Sequence, residues 1–83
     1  MARPYYLVEL ARACVAAGEA ERGQALLTEA AELAVASGAA MLVRRIDTVT
    51  RREAASFGGA AGVRPVRERL FGAEEDGETI PAR

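Results

Sequence analysis

An all-α architecture is what the sequence predicts, and three observations predict it. Apolar residues recur at three- and four-residue steps in two successive stretches, one from Leu7 up to Gly18 and one from Glu19 or Ala20 up to Gly38. Glycines stop both runs, Gly18 after the first and Gly38 after the second. A third and thinner stripe follows at Leu42, Ile46 and Val49, again at helical spacing.

The first helix opens at Pro4, which suits a first turn because its missing N–H would have no intrahelical partner there. Leu7, Leu10, Ala11 and Cys14 form one face, Val8 and Val15 widen it, and Glu9, Arg12 and Ala16 fall opposite. The second helix begins at Glu19 or Ala20, with Glu19 and Glu21 where the helix dipole favours negative charge. Leu26, Leu27, Ala30, Leu33 and Ala34 line its apolar side, and Gly23 permits close approach of a neighbour. Arg22, Thr28, Glu29 and Glu32 take the other side. A connection this short forces the two helices into an antiparallel hairpin.

The third helix is expected over 39–56 as a cap on that hairpin, with Arg44, Arg45, Arg51 and Arg52 opposite its apolar stripe. Gly58 and Gly59, then Ala60, Ala61 and Gly62, read as a flexible link. A possible short fourth helix starts at Pro65 and carries Val66 and Leu70. From Gly72 onward the acidic run has nothing to bury, so a disordered tail is expected over 73–83. The organisation expected is therefore hairpin plus capping helix over 1–57, link and short helix over 58–72, then the tail.

Bulk properties narrow the function. Eighty-three residues allow one small domain at most. Hydrophobic content is 51%, but alanine supplies much of it and aromatics are only 5%, so a chain this short is marginal alone. A folded surface outside the chain is the expected complement. The formal net charge of −1 gives no general pull toward nucleic acid or anionic membrane. One cysteine excludes an internal disulfide and fits a reducing compartment. Glu9 and Arg12 interrupt any signal-like apolar run, no stretch reaches the length of a membrane span, and the expected location is cytoplasmic.

The hairpin resembles the tetratricopeptide repeat. Leu7, Leu10, Ala11, Cys14, Gly18, Gly23, Leu27 and Ala30 stand at the spacings of that pattern over about 34 residues, one repeat length. It departs from the pattern at Leu7 and Cys14, where aromatics are usual, and near Val35, where proline usually closes the repeat. A second repeat from Met41 is poor, because Arg44 and Arg45 occupy positions that should be leucine and a small residue. Degenerate repeats of this kind look like those at the C-terminal end of bacterial transcriptional regulators. The resemblance implies a protein-binding role.

Little chemistry is open to this composition. There is no histidine and no tryptophan, and all eleven cations are arginine. An imidazole base, a Schiff-base lysine and a phosphate-loop lysine are all absent. Cys14 reads as a small buried hydrophobe, Glu29 and Glu32 as a solvated face without metal-ligand company, and the Gly58–Gly62 run lacks the strand of a dinucleotide loop. No catalytic residue, cofactor or metal is expected. The arginines of the third helix, Arg44, Arg45, Arg51 and Arg52, are the anion-contact candidates, since guanidinium forks suit phosphate. Base-reading Asn, Gln and Lys are missing from that helix, which leaves a solvated or protein-facing surface ahead of DNA contact.

The function expected is thus a non-enzymatic protein-interaction or oligomerisation module, with a homodimer as its first partner. The interface candidates are Val8, Leu10, Val15, Leu42, Ile46 and Val49, apolar groups that one hairpin could not cover by itself. A small DNA-associated regulator using the third helix is the alternative.

Overall fold

The computed structural model describes residues 3–72, all of the secondary structure in them helical. The chain runs through α1 (Arg3–Ala16), α2 (Ala20–Ala36), α3 (Ala40–Arg52), a 3-10 turn (Ala54–Phe57) and α4 (Ala60–Phe71). The expected tail, 73–83, lies outside the described residues. Among the described residues no helix is long and apolar enough to cross a membrane.

The two helix breaks anticipated at glycine close in the same way. Gly18 and Gly38 adopt φ of 83° and 69°, the left-handed region that a side chain disfavours. In each case the following amide reaches back five residues, Glu19 N–H to the Cys14 carbonyl at 2.8 Å and Ala39 N–H to the Ala34 carbonyl at 3.1 Å. This double closure satisfies the last free carbonyls of the helix and reverses the chain.

Helix directions follow from the pairs that cross between elements. Arg3 of α1 meets Glu29 of α2 at 2.8 Å, while Gly23, near the start of α2, lies against Ala11, Cys14 and Val15 late in α1. The two helices are therefore antiparallel. Gln24 donates to the Gly62 carbonyl and Glu32 pairs with Arg69 at 2.8 Å, so α2 and α4 run the same way. The bundle is two successive hairpins, with α3 leaning on α1 through Arg45–Glu9 at 2.9 Å and α4 lying along α2.

One core joins all four helices. Leu7, Val8 and Ala11 of α1 meet Leu27, Ala30, Ala31 and Ala34 of α2, Leu42, Ile46 and Val49 of α3, and Val66 and Leu70 of α4. Alanine on α2 is what lets three neighbours close on it: four of its core positions hold only a methyl group or, at Leu27, one large knob. Gly23 goes further, since a Cβ there would stand 2.9 Å from both the Ala11 carbonyl oxygen and Val15 Cγ2.

Two expectations need correction. The third helix stops at Arg52, short of Ser56, because Glu53 caps it and the chain tightens into the 3-10 turn that brings Phe57 against the core. The fourth helix is not a short piece starting at Pro65, and residues 60–62 are not a link. It spans Ala60–Phe71, with Pro65 in its interior on the exposed side. The glycine there makes a close crossing: Gly62 sits against the Phe57 backbone so tightly that any side chain would collide with its carbonyl. Val63, Val66 and Leu70 are buried, so α4 shares the hairpin's core and is not a separate segment after residue 57.

Candidate functional site

With the core accounted for, the apolar residues left at the surface are few. Among the described residues the large exposed ones are Tyr5, Tyr6, Val35, Met41 and Phe71. Val35 and Phe71 are on the rim of one open groove of about 430 Å³, where the end of α2, the start of α3 and the end of α4 converge. Its lining comprises Ala34, Gly38, Ala40 and Val43 with Leu70, and Arg44 stands at the edge. The local sequence explains the depression. Gly38 turns the chain, and Ala34 and Ala40 on either side leave room that larger residues would fill. Phe71, the last residue of α4, is 39% exposed, and Arg67 holds its ring from one face with the guanidinium carbon 5.3 Å from the centroid.

Beside the groove lies a second and different surface. A cleft of about 400 Å³ between α1 and α3 is lined by Arg12, Arg44, Arg45 and Arg52, with Met41, Thr48, Val49 and Glu53. Arg44 borders both depressions. Glu9 bridges two of these cations, accepting from Arg12 at 3.3 Å and from Arg45 at 2.9 Å. Among the described residues neither Arg44 nor Arg52 has a carboxylate at ion-pair distance.

The sequence-derived candidates fare unevenly against this geometry. Val8, Leu42 and Ile46 are at most 1% exposed and Val49 is 7% exposed, all within the chain's own core. Val8, Leu42 and Ile46 cannot line a surface between molecules as expected, and Val49 reaches the surface only at the edge of the α1–α3 cleft. The reason is α3: it packs on α1 and uses up the flank that seemed uncovered. Leu10 and Val15 are half-buried on α1, and neither lines the groove or the cleft.

The arginine face also divides. Arg44, Arg45 and Arg52 line the cleft, but Arg51 does not; it pairs with Asp47 at 3.1 Å, one turn earlier on α3. Asp47, whose side chain is only 14% exposed, also accepts from Arg67 of α4 at 3.0 Å and so ties α3 to α4. Sequence reasoning missed Asp47, Arg12, Val35 and Phe71. Two of them carried a signal: Asp47 stands four residues before Arg51 on the third helix, and Phe71 is a large apolar residue ending a helical stripe.

Cys14 is a buried free thiol, and among the described residues no group of three acidic, cysteine or histidine side chains converges as a metal would need. Glu29 and Glu32 are engaged with Arg3 and Arg69 in helix-to-helix ion pairs. The arrangement is one of surfaces: an apolar groove and a basic cleft meeting at Arg44. No protein-family model, curated protein or solved structure matches the chain.

Proposed function

We propose that this chain is a non-enzymatic interaction module that self-associates through the groove between α2, α3 and α4. The observation that carries the reading is that knob and hole occur on one surface. Val35 and Phe71 stand proud at 46% and 39% exposure, while Ala34, Gly38 and Ala40 beside them leave a depression. Isologous pairing across a two-fold axis needs this, because each copy must offer both what inserts and what receives. The patch is small, so the contact is weak and concentration-dependent rather than obligate.

The parallel placement of α4 along α2, and of a second hairpin beside the first, is the reason to retain a tetratricopeptide-like arrangement within this proposal. The bacterial-regulator context rests on the resemblance of 7–38 alone. DNA contact by α3 is the weaker reading, since Arg45 and Arg51 are already engaged with Glu9 and Asp47.

Sedimentation equilibrium over a series from low to high micromolar tests the reading. Mass should rise toward that of a dimer, and Val35→Glu, an exposed change late in α2, should keep the protein monomeric with unchanged helicity. Phe71→Glu should do the same. A wild-type chain that stays monomeric throughout, or association indifferent to both substitutions, would overturn it.

A further inference from the structure

The basic cleft between α1 and α3 shares only Arg44 with the groove of the self-association just described, and it raises its own question. Four guanidiniums line it, those of Arg12, Arg44, Arg45 and Arg52. The carboxylates within or beside it are Glu53 and the shared Glu9, so positive charge is in excess. On α3, Arg44, Thr48 and Arg52 follow one another at four-residue steps, forming a ridge of two cations around a hydroxyl. Met41, 80% exposed, lies one turn before Arg44 in the same lining.

We propose that the occupant of this cleft is the chain's own acidic segment, residues 73–83. Charge complementarity is the first argument. Glu74, Glu75, Asp76 and Glu78 place four carboxylates within five positions. Position is the second. The segment leaves α4 after Phe71, which shares a groove wall with Arg44, and Arg44 is also the first arginine of the α3 ridge. From Arg44 to Arg52 is two turns, about 12 Å at 1.5 Å per residue. Residues 73–78 reach about 20 Å when extended. The segment can therefore lay its carboxylates along the whole ridge without any helix moving.

Each such pair is weak on an exposed surface. Tethering changes the outcome, because a segment joined directly to α4 is present at an effective concentration in the millimolar range. Contacts too weak to hold a free peptide then suffice to keep the cleft occupied for a large part of the time, and added salt releases it. Occupancy of the cleft by this segment would also screen Arg44 and Arg52 from other polyanions.

Paramagnetic relaxation in the full chain reads this directly. A nitroxide is attached at Ala82→Cys in a Cys14→Ala background, and amide intensities are compared with the reduced label. At low salt the Arg52 and Glu53 signals, at the far end of the cleft from the C-terminus of α4, should lose most of their intensity, because spin-label relaxation is averaged over exchanging states and a partly occupied contact already broadens strongly. The loss should disappear at about 1 M salt, where the screening length is near 3 Å. It should also disappear when Glu74, Glu75, Asp76 and Glu78 are changed to their amides, substitutions that remove the charge and keep the side-chain size. Arg44→Ser with Arg52→Ser should abolish it from the other side. Broadening confined to the end of α4, or broadening of Arg52 that survives the amide substitutions, would overturn the proposal. So would shifts at Arg44 and Arg52 on adding a short DNA duplex to a chain whose segment leaves them unbroadened. Mixing spin-labelled 14N chain with unlabelled 15N chain separates broadening within one chain from broadening between copies, so failure here leaves self-association through the other groove standing, and the reverse holds equally.

Discussion

Gly62→Ala separates two opposite accounts of the chain between α3 and α4. If residues 58–62 were a flexible link, alanine would stabilise by limiting the unfolded chain and favouring helix, by about 1 kcal/mol. The structure places Gly62 as the third residue of α4, pressed on the Phe57 backbone, with the Phe57 Cβ 3.1 Å from where a new methyl would sit and its carbonyl nearer still. Neither neighbour is the free end of a flexible side chain, so the 3-10 turn and α4 must part. Overpacking of this kind costs roughly 1–3 kcal/mol. The Gln24 amide also donates to the Gly62 carbonyl, and loss of that bond adds about 1 kcal/mol. Set against the helix-propensity gain, the net change is a destabilisation of about 1–3 kcal/mol. With a urea slope near 1 kcal/mol per molar for a chain this small, the midpoint followed by circular dichroism should fall by about 1–3 M. A midpoint that holds or rises would refute the close crossing, and with it the account of why α4 reaches back to Ala60.

Two further substitutions probe the core and its ties. Leu27 is fully buried at the centre of α2, so Leu27→Ala should cost about 2–5 kcal/mol and unfold much of the population at ambient temperature; an unchanged melting point would mean the packing face is wrong. Asp47→Asn removes the charge that Arg51 and Arg67 share on a side chain only 14% exposed, and should cost about 1–3 kcal/mol in urea titrations. No loss there would mean that solvent already screens both pairs and that α4 keeps its place without them.

The hairpin was legible because both of its signals are local. Period 3.6 in 7–16 and 20–36 and a glycine at each end are written within single stretches, and the double backbone closures at Gly18 and Gly38 need no help from distant residues. The end of α3 was not legible in that sense. Residues 53–56 have no local breaker, and the chain leaves the helix there because Phe57 has to reach a core made largely by α2. Glycines at 58, 59 and 62 misled for a related reason. Glycine signals both freedom and close approach, and only a neighbour in space distinguishes the two. Gly62 has that neighbour in Phe57.

Surface chemistry was the harder part, and arginine shows why. With no lysine in the chain, every cation is a planar fork suited to holding a carboxylate across a helix boundary. Arg3, Arg45, Arg67 and Arg69 are all spent in this way, on Glu29, Glu9, Asp47 and Glu32, residues 20 to 37 positions distant. A face counted as basic from α3 alone therefore includes charge that folding neutralises at Arg45 and Arg51. Arg12 joins it from α1 by way of Glu9. What the surface retains is set by which arginines lack an acidic neighbour after the helices dock. Among the described residues that leaves Arg44, Arg52 and Arg64 without a carboxylate at ion-pair distance, and of these Arg44 and Arg52 stand two turns apart on one ridge of α3, lining the cleft.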